Sequence, residues 1–244
     1  MKRRQFDWQL PDAIERRLGD TTYGRQRTIY EEDHLLIILH APPGADDEQR
    51  VPEVFLRKPD GELLCNGQPN GDFRMRKLLA AYQKIFEELT EIYEQSSGKD
   101  TSELFALLEA LAPLNRSSTN MAAALQSARE LSKTDQFLIG MRDEAYELSR
   151  SIELLYTDTK AALDYRIACN AESQAKKAHE MATAQHKLNV MAAITFPLMA
   201  IAAILGMNLV HGFENGSPLV FYSVFIAGLI VGLIVKKWVT QNGD

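Results

Sequence analysis

"LNVMAAITFPLMAIAAILGM" (residues 188–207) decides the architecture. Twenty residues pass without a charge, interrupted only by Asn189, Thr195 and Pro197. At about 1.5 Å per residue, a helix of that length spans about 30 Å, the hydrocarbon thickness of a bilayer. A second run, "LVFYSVFIAGLIVGLIV" (219–235), follows an eleven-residue connection and is closed by Lys236, Lys237 and Trp238. A soluble core helix is the alternative for either run, but two adjacent runs of this length are rare in soluble domains. The pattern predicts two transmembrane helices.

The flanks orient them. Lys176, Lys177 and Lys187 precede the first run and Lys236 and Lys237 follow the second, while the connection has no Lys or Arg. The bias of positive charge toward the cytoplasm puts both termini inside and the connection outside. The N-terminal "MKRRQFDWQLPD" has positive charges but no apolar stretch behind them, so it is not expected to act as a secretion signal. Six segments follow from this: 1–72, a small mixed α/β cytosolic region; 73–187, helical, with a long stalk; 188–207, the first span; 208–218, an external loop; 219–237, the second span; 238–244, a cytosolic tail. The setting is the inner or plasma membrane, with lipid as a partner.

Average composition hides this division. The chain of 244 residues is 25% charged, with a net charge of −6, yet residues 188–235 contain a single charged side chain, Glu214. Mild acidity gives no footing for nucleic acid as a partner. Cys65 and Cys169 lack CxxC spacing and fit a reducing compartment. The five histidines form no HExxH or HxxxH pair, and His179 and His186 read as a solvated helix face. The first 187 residues hold no nucleophile–base pair, phosphate loop or metal cluster, so neither an enzyme nor a bound cofactor is expected.

Strand signals occupy residues 21–67. "HLLIILHA" (34–41) is an apolar run stopped by Pro42 and Pro43, and "VPEVFLRK" and "ELLCNG" flank Pro59-Asp60-Gly61 as a hairpin over 54–65. Three or four strands are expected, after a short helix at "LPDAIERRL" (10–18). Apolar residues at three-four spacing then predict a helix over 73–96, ended by Gly98. Asp100 and Glu103 suggest a capped helix that stops before Pro113, followed by a shorter helix near 118–132. Between Pro113 and Pro197 there is no proline and one glycine, Gly140, which predicts one long helix feeding the first span without a break. The fold class is thus an α+β cytosolic domain, a stalk helix and a two-helix transmembrane hairpin, in a symmetric oligomer.

On the stalk, Leu163, Ile167, Asn170, Gln174, Lys177, Met181, Ala184, Leu188 and Met191 recur at alternating three and four, the spacing of self-associating helices. Its polar middle is either a solvated face or the border of a hydrated axial pathway. Two spans enclose no pore within one subunit, so any pathway lies on the axis of an oligomer, where each side chain repeats once per subunit. A ring of Asn208 carboxamides offers neutral oxygens to the water shell of a hard cation such as Mg²⁺, which dehydrates reluctantly. Neither span holds an ionisable group of the kind proton-coupled transporters use, which favours passive conduction.

"NVMAAITFPLMAIAAILGMN" (189–208), with its proline, terminal Gly-Met-Asn, short loop, second span and basic "KKW", resembles the CorA family of divalent-cation channels. A weaker similarity covers "RQRTIYEEDHLLIILHAP" (25–42). The resemblance implies a pentamer in which Gly206, Met207 and Asn208 form the selectivity filter, Asn208 being the metal-binding residue for hydrated Mg²⁺. It also implies that Leu188, Ala192, Phe196, Met199 and Ala203 line the pore, with Leu188, Phe196 and Met199 as apolar constrictions. The acidic "MPEL" that often follows the family's tripeptide is missing, and Glu214 is left to attract cations. Sensing carboxylates have no clear counterpart; the stalk offers Asp158, Asp164 and Glu172. Gly228 and Gly232 form a GxxxG expected to pack against Ala192, Ala193, Ala200, Ala202 and Ala203. Mg²⁺ is the leading cargo, with Co²⁺, Ni²⁺ or Zn²⁺ as alternatives; His211 in the loop leans toward Zn²⁺. A membrane-anchored signalling or scaffold protein without transport is the reading from another class.

Overall fold

The computed structural model describes residues 5–44, 50–96, 101–206 and 217–241. Its elements are α1 (Asp12–Glu15), β1 (Arg27–Glu31), β2 (His34–His40), β3 (Pro52–Arg57), β4 (Leu63–Cys65), α2 (Gly71–Ser96), α3 (Thr101–Leu131), α4 (Gln136–Leu205) and α5 (Pro218–Gln241). Residues 1–168 and 169–244 form two compact units.

In the first unit the four strands make an antiparallel meander in the order β1-β2-β3-β4. Ile29 lies opposite Leu36, Ile37 opposite Phe55, and Leu56 opposite Leu64. β2 is apolar at every position from Leu35 to Leu39 because both faces of the sheet are covered. Leu35, Ile37, Leu39 and Phe55 meet Met75 and Leu79 of α2, Met121 and Leu125 of α3, and Leu138 and Met141 of α4. The alternate residues Leu36, Ile38, Val54 and Leu56 pack on Ile14, Leu18 and Tyr23, with Phe6 and Trp8 at the edge. The β1–β2 turn sets Glu32 and Asp33 at φ of 51° and 58°, the conformation a two-residue hairpin turn requires, and the Tyr30 hydroxyl donates to Asp33 Oδ1 at 2.8 Å. α2 starts so close to β4 that a Cβ on Gly71 would lie 2.5 Å from the Leu63 carbonyl oxygen.

One expectation fails at Pro113. α3 neither stops there nor gives way to a separate helix over 118–132; it runs unbroken from Thr101 to Leu131. Proline removes one helix hydrogen bond and crowds the preceding turn, at a cost of about 3 kcal/mol. A continuous buried stripe offsets it: Leu104, Leu107, Leu111 and Leu114 carry the apolar face past the proline to Met121, Leu125 and Ala128. Gly98 and Asp100 lie outside the described residues.

α4 begins at a firm anchor. Asp135 Oδ1 accepts the backbone N–H groups of Phe137 and Leu138 at 3.0 and 3.2 Å, capping the helix. Its Oδ2 accepts from Arg57 Nε at 2.8 Å and from Arg57 Nη2 as well. Arg57 also faces Asp72 of α2 at 3.8 Å. One guanidinium on β3 therefore holds the first turns of two helices. From Asp135 the helix continues for 70 residues, through Gly140 and Pro197.

In the second unit α4 and α5 touch through glycine. A Cβ on Gly228 would meet Ile201 Cδ1 at 3.1 Å and Leu198 Cδ2 at 3.4 Å, and one on Gly232 would meet the Ile194 carbonyl oxygen at 3.1 Å. The atoms nearest to the two glycines belong to Ile201, Leu198 and the Ile194 backbone, all within the first apolar run. The missing side chains of the two glycines supply the room for this approach.

Candidate ion pathway

Ile194, Leu198 and Ile201, at spacings of four and three, mark the side of α4 that meets α5. Leu188, Ala192, Phe196, Met199 and Ala203 follow the same rhythm two residues out of phase. At about 100° per residue, two residues turn the helix by about 200°, so this second stripe faces away from α5. Leu188 is 58% exposed, Phe196 67% and Met199 60%; Ala203 is exposed and Ala192 half-buried. Five apolar positions therefore share one uncovered face.

The backbone along this face is locally altered. Pro197 has no N–H to give the Ala193 carbonyl, and Thr195 Oγ1 donates to the carbonyl of Met191. At the far end the Gly206 N–H still donates to the Ala202 carbonyl at 2.9 Å. Met207, Asn208, His211 and Glu214 lie outside the described residues.

Among the described residues one helix, over Gln136–Ile204, is long and apolar enough to cross a membrane, and its apolar stretch is nowhere buried. Gln136 to Ala168 of that helix belongs to the first unit. The second apolar run lies within α5.

The first unit has buried polar groups of its own. Cys65 is buried beside Glu53, and burial with that carboxylate pushes its thiol up to about 12, so it stays protonated. The Tyr82 hydroxyl donates to the His40 carbonyl at 3.1 Å and lies 2.6 Å from Ser117 Oγ, and burial raises its pKa to about 12. Asp158, Asp164 and Glu172 are exposed along α4. The described residues hold no group of three or more His, Cys, Asp or Glu placed to bind a metal ion. Sequence reasoning missed Arg57 and Asp135, which are 78 residues apart. Only Asp135 carries a local signal, as a capping residue before "QFLIG".

The family model described as CorA-like Mg²⁺ transporter protein matches residues 74–239. The chain belongs to that family. It is thereby a divalent-cation transporter. Among solved structures, the cytoplasmic domain of ZntB from Vibrio parahaemolyticus is similar at a TM-score of 0.52 and 13% identity, covering 67% of this chain and 80% of that one. The CorA magnesium transporter of Methanocaldococcus jannaschii aligns at 17% identity, 90% and 80% coverage and a TM-score of 0.47. Full-length CmaX gives 17%, 90% and 77%, with a TM-score of 0.45. The first of these shows a shared fold over 67% of this chain. No curated protein sequence matches it.

Proposed function

We propose that this CorA-family protein is a homo-oligomeric, pentameric channel that passes hydrated divalent cations, foremost Mg²⁺, down their gradient. The exposed stripe of Leu188, Ala192, Phe196, Met199 and Ala203, turned away from α5, carries the reading. An apolar face on a membrane helix meets lipid or another copy, and a ring of copies converts it into the lining of an axial pore. Phe196 and Met199 then narrow the path enough to close it by dewetting. Gly206, Met207 and Asn208 form the outer mouth, where the Asn208 amide holds the ion's water shell and Glu214 raises the local cation concentration. The spans are 188–207 and 219–237, joined by the external loop 208–218, with both termini in the cytoplasm and the membrane being the inner or plasma membrane. Residues 1–72 and 73–187 form the cytosolic part and 238–244 the tail.

Reconstitution in liposomes with an interior Mg²⁺ dye tests this. Wild-type protein is expected to admit Mg²⁺, and Asn208→Ala to abolish or strongly impair entry while the oligomer stays intact. An intact oligomer without flux overturns the channel; flux indifferent to Asn208→Ala overturns the filter. His211 is the residue favouring Zn²⁺, so Zn²⁺, Co²⁺ and Ni²⁺ belong in the same assay, and Zn²⁺ selectivity lost in His211→Ala would replace Mg²⁺ as cargo.

A further inference from the structure

The register of α4 against α5 brings two lysines to one seam. Gly228 lies against Leu198 and Ile201, and Gly232 against Ile194, so the two helices run antiparallel. Lys187 precedes Ile194 by seven residues, which is about 10 Å along α4 and a turn of only about 20° away from it. Lys236 follows Gly232 by four residues, about 6 Å along α5 and about 40° around it. Both lysines therefore point toward the α4–α5 seam, at levels within about 5 Å of each other. Both are exposed, as is Lys237 beside them.

Like charges at one seam repel. The unit's own carboxylates are far from them: its described residues hold Glu172 and Glu180 against five lysines, in a chain whose net charge is −6. Glu180, the nearer in sequence, is seven residues before Lys187, about 10 Å further from the seam. Positive charge at this end orients the spans, but orientation does not require two lysines to converge. An anion between them turns repulsion into charge-assisted hydrogen bonds, and a phosphodiester has a free oxygen for each ammonium. The next turn says which anion. Met191, one turn above Lys187, and Leu233, one turn above Lys236, are both exposed. Apolar side chains directly above paired ammonium groups fit a phosphate that continues into acyl chains, whereas a soluble phosphate makes no use of them.

We propose that the α4–α5 seam binds an acidic phospholipid, with its phosphate between Lys187 and Lys236 and its acyl chains along Met191 and Leu233. The site rests on the two-span reading under Proposed function, in which this level is the cytosolic face of the bilayer. It does not rest on conduction, because none of these four residues belongs to the proposed pore.

The test uses full-length protein in detergent micelles doped with equal amounts of phosphatidylglycerol and phosphatidylcholine, the retained lipid being counted by native mass spectrometry. Phosphatidylglycerol is expected to be retained saturably and in preference to phosphatidylcholine. Lys187→Gln and Lys236→Gln should each weaken its retention by about fivefold, the worth of one lysine at an anionic lipid surface. Lys176→Gln removes the same charge about 16 Å away along α4 and should leave retention unchanged. No preference between the lipids overturns the proposal. So does retention that is unchanged in the two seam variants, or lowered equally in all three, since only a diffuse attraction would then remain. Displacement of the lipid by glycerol 3-phosphate at equal concentration overturns it as well, by assigning the lysines to soluble phosphate. Protein that stays soluble without detergent overturns the two-span reading and this site together, whereas inserted protein without lipid preference overturns the site alone.

Discussion

Leu111 and Phe196 both sit on long helices that contain a proline, yet their surroundings are opposite. Leu111, in α3, is fully buried, and its neighbours along the helix continue the same covered stripe. Phe196, in α4, is 67% exposed, and Leu188, Met199 and Ile204 are exposed with it. The first unit is a water-built core: apolar area leaves solvent, and the backbone strain at Pro113 is carried by that gain. The second unit has no such buried cluster among its described residues. On the proposed reading its apolar side chains meet lipid or other copies, which then supply the stabilisation.

The strongest test is to truncate both residues in the full-length protein. Leu111→Ala removes a fully buried side chain and should cost about 2–5 kcal/mol, seen as a lowered midpoint in denaturant unfolding of the first unit. Phe196→Ala should leave that midpoint in place and act on flux instead, by widening a constriction. Equal loss of midpoint in the two variants would break the contrast.

A smaller effect separates anchoring from core burial. Arg57→Gln strips the charged partner from Asp135 and leaves Asp135 to cap α4 alone. The loss should be about 2 kcal/mol of unfolding free energy. Hydrogen exchange should rise first at the N–H groups of the opening turns of α4, while the strands keep their protection. Uniform exchange across the unit would mean that Arg57 does no more than support the fold as a whole.

How much of this was legible in the chain follows the same divide. β2 announced itself because five successive apolar residues between turn signals leave no other element, and the Pro59-Asp60-Gly61 turn fixed the next hairpin. Pro113 misled because its local cost is readable and the buried stripe that outweighs it is a tertiary fact. Arg57 and Asp135 are ordinary surface residues until the fold joins them across 78 positions. In the second unit, counting by helical turns from Gly206 gives the stripe, but that stripe's direction depends on which residues meet Gly228 and Gly232. Those proved to be Ile194, Leu198 and Ile201. The proposed ring of Asn208 would be a product of assembly between copies, which no local pattern in the sequence encodes.

The glycines of α5 offer a finer test within the second unit. A Cβ at 228 meets the flexible ends of Ile201 and Leu198, whereas one at 232 meets backbone at Ile194. Gly232→Ala should therefore weaken helix–helix packing by about 1 kcal/mol, and Gly228→Ala by less. Thermal stability of the detergent-solubilised protein, followed by loss of assembled species, measures the difference. The reverse order would mean that the side chains, not the backbone, limit the approach.

The smallest effect belongs to a proton in the first unit. His40 is buried, its Nε2 donates to the Gly24 carbonyl at 3.1 Å, and Nδ1 has no partner among the described residues. Burial lowers its pKa from the ordinary 6.5, the Gly24 bond opposes this, and Arg50 adds to the lowering. The native protein therefore keeps the ring neutral where the unfolded chain already binds a proton. Stability from this group is whole above pH 6.5 and falls as the pH drops below it, levelling off once the native ring is protonated too. Denaturant midpoints of the first unit measured on either side of that pH should decline toward acid, and His40→Gln should flatten this step of the profile. Gln keeps a donor for Gly24 and cannot take up the proton, so an unchanged slope would assign the acid sensitivity to the carboxylates instead.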